Sequence, residues 1–318
     1  MTGKSLTKAT LLACLAGLAV LGMTGCAVDA DGDPAPIKKD GPLAVTTTIG
    51  MIADVAQNIA GEHAVVTALM GPGVDPHLYK ATHGDLEKLS GADIILYCGL
   101  HLEGKMTDVF EKMGRTKNTV AVSEAIPVDQ LRTPPEFAGQ HDPHVWFDVS
   151  LWIQVAERIR NTLIAADPEH KADYEKNATA YIAQLRELDT YAREQIATIP
   201  KESRVLITAH DAFGYFGRAY DIEVMGLQGV STAAEYGVQD LSRLIDVVVS
   251  RKIKAVFIES SISPKSIEAL IRGVEGKGGT VVRGGELFSD AMGQAGTPSG
   301  NYIGMVRHNV DTIVKALK

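Results

Sequence analysis

The chain has 318 residues, of which 45% are hydrophobic and 22% are charged. This composition is that of a globular protein and excludes a disordered or fibrous one. The formal net charge of −8 argues against nucleic-acid binding, because such proteins use basic surfaces to neutralise phosphates.

The first 25 residues resemble a bacterial lipoprotein signal. Lys4 and Lys8 precede a short apolar run over residues 11–21, and a small residue stands directly before Cys26. The run is shorter than the ~20 residues that a membrane-spanning helix needs. We therefore expect residues 1–25 to be removed and Cys26 to carry a lipid anchor, which places the protein outside the cytoplasm, on the cell membrane or in the periplasm. A plain secretory signal is the alternative.

Residues 26–42 are rich in Asp, Gly, Pro and Lys, and predict a flexible tether. Of the three cysteines, Cys14 leaves with the signal and Cys26 is acylated, so Cys98 has no intrachain disulfide partner. Cys98 ends an apolar run, which predicts a buried small hydrophobic residue.

From residue 43 onward, short apolar runs alternate with helical patterns in a first α/β series. The predicted strands are 45–49, 64–70, 94–99 and 119–123, and the predicted helices are 52–60, 84–90 and 105–113. Such alternation is typical of βαβ units around a mostly parallel sheet.

One long helical pattern follows the first series. Asp167 and Pro168 are a helix start signal, and Pro200 ends the pattern. Apolar or aromatic residues recur at steps of four and three between these points: Tyr174, Ala178, Tyr181, Leu185, Leu188 and Ala192. At 1.5 Å per residue the helix is about 45 Å long, enough to run along two small domains. A helix that joins two lobes is favoured over a coiled coil, because the flanking charges lack a sustained opposite-sign pattern.

A second α/β series completes the chain. Its predicted strands are 205–208, 223–227, 255–259 and 280–282, and its predicted helices are 241–251, 264–274 and 302–317. The predicted fold is therefore two α/β lobes with mostly parallel sheets, joined by one backbone helix. The predicted organisation is a signal peptide over 1–25, a tether over 26–42, an N-terminal lobe over 43–166, a linking helix over 167–199 and a C-terminal lobe over 200–318.

Four polar residues are predicted at the carboxyl edges of the sheets, where open α/β folds bind their ligands. His77 and His144 each follow a proline in the first half, and His210 and Asp290 follow strands in the second half. If these edges face one another, the four side chains meet in the cleft between the lobes. Three imidazoles and a carboxylate suit a divalent transition-metal ion. Each histidine alone is more often a structural residue, so spacing leaves both interpretations open.

Six segments together resemble the TroA-like family of solute-binding receptors for zinc and manganese ABC importers. They are GPGVDPHLY, HDPHVWFD, TAHDAFGYFGRAY, GLQGVSTAAE, AVFIESS and GGELFSDAMG, and the resemblance covers the chain from residue 45 onward. It implies two lobes joined by a backbone helix with a metal ion held between them. It also implies that His77, His144, His210 and Asp290 are the ligands. Glu259 is implied as a hydrogen-bonding partner of a ligand or as an alternate oxygen ligand.

The function implied by the resemblance is capture of Zn(II) or Mn(II) and delivery to the membrane permease of an ABC importer, with no enzymatic step. His210 stands where manganese-directed members carry glutamate, which favours zinc, since an imidazole replaces a carboxylate. Segment 132–140 is short and lacks the His-rich loop of typical zinc receptors, so both metals stay open. The alternatives are a zinc-dependent hydrolase, with Asp290 acting as a base outside the metal shell, and a surface adhesin.

Overall fold

The computed structural model describes residues 36–37 and 40–318. The predicted signal over 1–25, Cys26 and most of the tether over 26–42 lie outside the described residues. Within the described part of the chain, no helix combines the length and hydrophobicity required to cross a membrane.

The N-terminal half contains a four-stranded parallel sheet with strand order β2-β1-β3-β4. The strands are β1 (Leu43–Thr47), β2 (Ala64–Ala68), β3 (Ile94–Tyr97) and β4 (Asn118–Ala121), and the helices between them are α1 (Gly50–Ala60), α2 (His83–Gly91) and α3 (Thr107–Gly114). The three apolar residues that begin β3 are fully buried, as expected for an inner strand covered on both faces. The predicted mostly parallel sheet is confirmed in this half.

The C-terminal half repeats the parallel βαβ arrangement. Its strands are β5 (Val205–His210), β6 (Glu223–Gln228), β7 (Ala255–Glu259) and β8 (Val282–Leu287), and its helices are α6 (Gly214–Tyr220), α7 (Val238–Arg251), α8 (Lys265–Gly276) and α9 (Tyr302–Leu317). Strands β5 and β6 pair in parallel, as do β7 and β8, and β5 lies beside β7. The predicted α/β fold class is therefore confirmed in both halves.

Two strands of this half differ from the sequence prediction. Strand β5 was expected to end at Thr208, but its ladder continues to His210, which pairs with Gln228. The last strand was expected at 280–282 and instead covers Val282–Leu287. Gly284 and Gly285 within it lack side chains to pack, which weakens the sequence signal of a strand. Position 284 requires glycine, because a Cβ there would lie 2.6 Å from the Phe257 ring.

The long helix α5 covers Lys171–Ala197 and contacts elements of both halves. It packs against α1 and α4 (Val149–Ala166) of the N-terminal half and against α6 and α9 of the C-terminal half. All six residues of the predicted apolar stripe are buried. The helix begins at Lys171 and not at Pro168, because Pro168–His170 form a separate 3₁₀ turn. The expectation of one helix bridging two lobes is confirmed.

A second long helix, α4 (Val149–Ala166), was not predicted from the sequence. Asp148 caps it, since its side chain accepts a hydrogen bond from the Ser150 amide at 3.0 Å. The helix buries Trp152 and packs along α5. One 3₁₀ turn lies between His144 and α4, so the packed helix fixes the position of that histidine at the lobe boundary.

One hydrophobic core runs through both halves of the molecule. It includes residues from β1, α4 and α5, and continues to Tyr302 and Leu317 in α9. A smaller core lies in the C-terminal half between β5, β7, α7 and α8. Because the larger core is shared, the two lobes are held together by apolar packing as well as by the chain connection.

Candidate metal centre

The structure brings His77, His144, His210 and Asp290 together. One nitrogen or oxygen atom of each lies within 4.8 Å of the corresponding atoms of the others, and within the described residues this is the one His/Cys/Asp/Glu group with such geometry. His77 Nε2 lies 3.2 Å from His144 Nε2, and Asp290 Oδ2 lies 3.4 Å from His210 Nε2. All four side chains are buried, with at most 3% of each residue exposed.

Each half of the chain supplies two of these residues. His77 lies in the loop after β2, and His144 precedes the 3₁₀ turn that leads into α4. His210 is the last residue of β5, and Asp290 follows the end of β8 by three residues. Asn309 of α9 holds the Asp290 loop, because its side chain accepts from the Phe288 amide and donates to the Phe288 carbonyl. The cluster therefore lies between the lobes, as the positions at sheet edges predicted.

His77 and His144 each end an Asp-Pro-His turn. In both turns the aspartate Oδ1 accepts a hydrogen bond from the histidine amide at 2.9 Å, which is the geometry of an Asx turn. Asp142 Oδ1 also lies 2.8 Å from His144 Nδ1. A hydrogen bond there fixes the tautomer and directs the Nε2 lone pair of His144 into the cluster. Among the described residues His77 Nδ1 has no hydrogen-bond partner, and Asp75 instead accepts a hydrogen bond from Thr232.

Glu259 lies behind His210, on the side away from Asp290. Its Oε1 accepts a hydrogen bond from the His210 amide at 2.9 Å. Its Oε2 lies 2.6 Å from His210 Nδ1 in a close contact without the alignment of a hydrogen bond. This carboxylate is buried and faces the ring nitrogen that points away from the cluster. Glu259 is thus placed to orient His210.

Sequence analysis missed the supporting residues Asp75, Asp142 and Thr232. The tripeptide Asp-Pro-His occurs twice, at 75–77 and at 142–144, and an aspartate two residues before a histidine is a known side-chain turn pattern. That repetition could have identified both aspartates. No local signal could have identified Thr232, because its contact with Asp75 joins distant parts of the chain.

The polar atoms inside the cluster fit a cation. In the part of the chain that the structure describes, His210 Nε2 and both carboxylate oxygens of Asp290 are buried without a hydrogen-bond partner. Burying polar atoms without partners is unfavourable by about 1–3 kcal/mol each. A divalent ion would satisfy these atoms, and three imidazoles with one carboxylate form a donor set that accepts zinc or manganese.

The electrostatics of the cluster divide the histidines into two kinds. Burial lowers the pKa of His77 to about 3, so this imidazole is neutral. Burial also acts to lower the pKa of His144, but the contact with Asp142 and the nearby negative charges of Asp142 and Asp290 outweigh it and raise that pKa to about 9. The pKa of His210 is raised well above its usual value by Glu259 and Asp290, against the effect of burial. Despite burial, the charges and contacts of His210 and His144 hold the pKa of Asp290 well below its usual value.

Two inter-lobe hydrogen bonds enclose the cluster. Trp146 Nε1 donates to the Ser289 carbonyl at 3.0 Å, and Tyr302 donates its hydroxyl hydrogen to the Trp146 carbonyl at 2.6 Å. The Trp146 ring also meets the His144 ring edge-on, with centroids 5.2 Å apart. These contacts fix the segments that carry His144 and Asp290 relative to each other. Cys98 is buried nearby, as predicted, and its thiol contacts the Pro143 carbonyl at 3.5 Å.

Comparisons with known proteins agree with one another. Residues 45–316 match the family described as "ZnuA: Zinc-uptake complex component A periplasmic". The chain is 52% identical over 300 residues to the manganese-binding lipoprotein MntA of Bacillus subtilis (strain 168), covering 94% of this chain and 96% of that one. It is 53% identical over 278 residues to the zinc-binding protein TroA of Treponema pallidum (strain Nichols), covering 87% and 90%. The solved structure of periplasmic zinc-binding TroA from Treponema pallidum superposes with a TM-score of 0.85 at 53% identity, covering 87% of this chain and 99% of that one.

Proposed function

Because this chain belongs to the ZnuA family of zinc-uptake components, we propose that it is an extracytoplasmic receptor that captures Zn(II) or Mn(II) and delivers the ion to the permease of an ABC importer. The observation that carries this proposal is the convergence of four buried donors from two lobes within 4.8 Å of one another. A relative is named for each metal, manganese for MntA and zinc for TroA.

We assign His77, His144, His210 and Asp290 as the ligands. The unpartnered donor atoms of His210 and Asp290 support this assignment, and so does the fit of the donor set to either ion. Glu259 is assigned the role of orienting His210 and not of binding the ion, because it contacts the opposite ring nitrogen.

We infer the remaining organisation from the sequence pattern and the fold. The lobe boundaries are placed at 43–166 and 200–318, with the linking helix over 167–199. Cys26 is assigned as the site of lipid attachment after removal of residues 1–25, and residues 26–42 as the tether. The lipoprotein name of the Bacillus subtilis relative supports the anchor.

Capture on this proposal exchanges protons for a metal ion. His144 and His210 lose the protons that Asp290, Asp142 and Glu259 stabilise, and their Nε2 atoms replace water in the ion's coordination shell. A site with four protein donors is closed, whereas catalytic zinc keeps one position for water. The position of Asp290 among the three Nε2 atoms therefore supports a receptor over a hydrolase.

The proposal is tested by titrating metal-free protein with Zn²⁺ and Mn²⁺ in competition with a chelator. We expect one ion per chain. Asp290→Asn should lower the affinity by more than about 100-fold, because loss of a supporting residue outside the coordination shell already reduces it by about 10- to 100-fold. His63→Ala is the matched control, since it removes a histidine that pairs with Asp173 outside the cluster. Unchanged affinity in Asp290→Asn, or more than one tight site per chain, would contradict the proposal.

A further inference from the structure

Residues 132–142 lead to His144 and are anchored on helix α6 of the opposite lobe. We propose that Arg132 is a positioning residue that holds His144 through Asp142. Gly214 and Tyr215 of α6 hold Arg132 in turn, so the affinity for the ion depends on the position of α6. This inference rests on the proposed function and names the residues that regulate the same site.

Arg132 completes the hydrogen bonding of the carboxylate that orients His144. Its Nη1 donates to Asp142 Oδ2 at 2.5 Å, while Asp142 Oδ1 faces the amide and Nδ1 of His144. Asp142 is fully buried and the Arg132 side chain is 26% exposed. A charge-assisted hydrogen bond of this kind holds a buried carboxylate in one orientation. Arg132 therefore fixes the direction in which Asp142 holds the imidazole.

Tyr215 of α6 joins both ends of the 132–142 segment to the C-terminal lobe. Its hydroxyl oxygen accepts a hydrogen bond from the Arg132 amide at 3.0 Å, and the hydroxyl donates to the Asp142 carbonyl at 3.0 Å. The Asp142 amide donates to the Arg132 carbonyl at 2.9 Å, which closes the segment on itself. The base of the loop that carries Asp142 is thus tied to one side chain of the other lobe.

Gly214 provides the space through which the guanidinium passes. A Cβ at this position would lie 1.3 Å from Arg132 Nη1 and 2.1 Å from Arg132 Cζ. No side chain other than hydrogen fits there while Arg132 keeps its contact with Asp142. The first residue of α6 therefore determines whether Arg132 can reach Asp142.

The chain of contacts crosses from one lobe to the other and ends at a ligand. A shift of α6 away from segment 132–142 would move Tyr215, and with it the loop base, and would release the restraint on Asp142. His144 would then lose its fixed orientation, and the ion would dissociate faster. Sequence analysis had singled out residues 132–140 only for lacking a His-rich loop; the structure gives this short segment a role in holding the ion.

The test compares Arg132→Met and Gly214→Ala with wild type and with the control Arg251→Met. Arg251 also pairs with a carboxylate, because its guanidinium donates to both carboxylate oxygens of Glu223. This pair joins α7 to β6 within the C-terminal lobe and includes no residue of segment 132–142 or of α6. The probes are Zn²⁺, for affinity and dissociation rate against a chelator, and Co²⁺, whose visible absorption spectrum reports the geometry of the bound ion.

We expect Arg132→Met and Gly214→Ala to weaken Zn²⁺ binding about tenfold, the low end of what loss of support to a ligand produces. Both should speed dissociation and change the Co²⁺ spectrum, whereas Arg251→Met should match wild type in affinity, dissociation rate and spectrum.

Equal behaviour of Arg132→Met and Arg251→Met would overturn the role of Arg132. A wild-type Zn²⁺ affinity and Co²⁺ spectrum in Gly214→Ala would overturn the link to α6. Thermal unfolding of the metal-free variants identifies any that do not fold, and Gly214→Ala retains every side chain of the contact. Failure of wild type itself to bind Zn²⁺ would contradict the proposed function instead.

Discussion

At the scale of single residues, the two Asp-Pro-His turns give their histidines different properties. His144 has a buried carboxylate on its Nδ1, so its ring orientation and tautomer are fixed. Within residues 36–37 and 40–318, Nδ1 of His77 has no hydrogen-bond partner, and burial lowers the pKa of this histidine to about 3, so it is neutral at any physiological pH. The neutral imidazole of His77 can bind a metal ion directly, whereas that of His144 must first lose a proton.

Metal affinity should therefore rise with pH. The pKa of His144 is about 9, and the charges of Glu259 and Asp290 raise that of His210 well above its usual value, so both hold protons at neutral pH in the metal-free protein. Binding displaces these protons, and the affinity gains about tenfold per pH unit for each proton displaced, until pH exceeds the histidine pKa. His77 contributes nothing to this slope. Competitive Zn²⁺ titrations at pH 6, 7 and 8 measure it, and an affinity independent of pH would contradict the assignment of protons.

Glu259→Gln separates an orienting role from a ligand role. The amide oxygen can still accept from the His210 amide, but the negative charge beside His210 Nδ1 is lost. We expect Zn²⁺ affinity to fall by about 10- to 100-fold with one ion still bound. The matched control is Glu286→Gln, which changes an exposed carboxylate on the neighbouring strand β8. A loss as large as that of Asp290→Asn would show that Glu259 binds the ion directly.

At the scale of elements, sequence patterns predicted most of the parallel strands and the long helix. Unbroken apolar runs such as 94–96 indicate inner strands, and the four-three spacing from Tyr174 to Ala192 indicates a helix face. Helix α4 was missed although Asp148 is a good cap and Trp152, Val155 and Ile159 have helical spacing. The predicted position of the cluster between the lobes is confirmed. Thr232 could not be predicted, because its contact with Asp75 joins distant parts of the chain and leaves no periodic signal.

The loop after β6 is hydrogen-bonded to the loop that carries His77. Thr232 Oγ1 donates to Asp75 Oδ2 at 2.7 Å, and Gln228 Nε2 donates to the Thr232 carbonyl at 2.7 Å. Thr232→Val removes one hydrogen bond across the cleft at nearly constant volume. A bond worth about 1 kcal/mol corresponds to a roughly fivefold faster dissociation of Zn²⁺.

Stopped-flow mixing with a chelator measures that rate. Thr190→Val is the matched control, because the Thr190 hydroxyl donates to the Arg186 carbonyl within helix α5, away from the cleft. If Zn²⁺ dissociates from both Thr232→Val and Thr190→Val at the wild-type rate, the Thr232–Asp75 hydrogen bond does not restrain the ion.

At the scale of the whole molecule, the shared core limits how far the lobes can separate. Helix α5 contacts helices of both lobes, and Tyr302 in the C-terminal lobe is packed in the same core as Trp152 in the N-terminal lobe, with ring centroids 5.5 Å apart. Opening the cleft widely would expose this apolar surface at about 25 cal/mol per Å². Release should therefore use small movements of loops and of α6 rather than a wide hinge.

Small-angle scattering of the metal-free and Zn²⁺-loaded protein tests this expectation. The two scattering profiles should be nearly superimposable, because the core stays intact in both states. A metal-free protein opened by tens of degrees would contradict the restriction, and would also require the Trp146–Ser289 hydrogen bond to break.

The four donors lie at widely separated positions between His77 and Asp290, and they meet only when both halves and α9 have folded. An unfolded chain cannot assemble them, so the ion binds the native state alone. By mass action, free metal at a thousand times the dissociation constant adds about 4 kcal/mol to the free energy of unfolding. Metal-bound protein should thus resist heat and extracytoplasmic proteases for longer than metal-free protein. A shortage of the metal would then shorten the lifetime of the receptor.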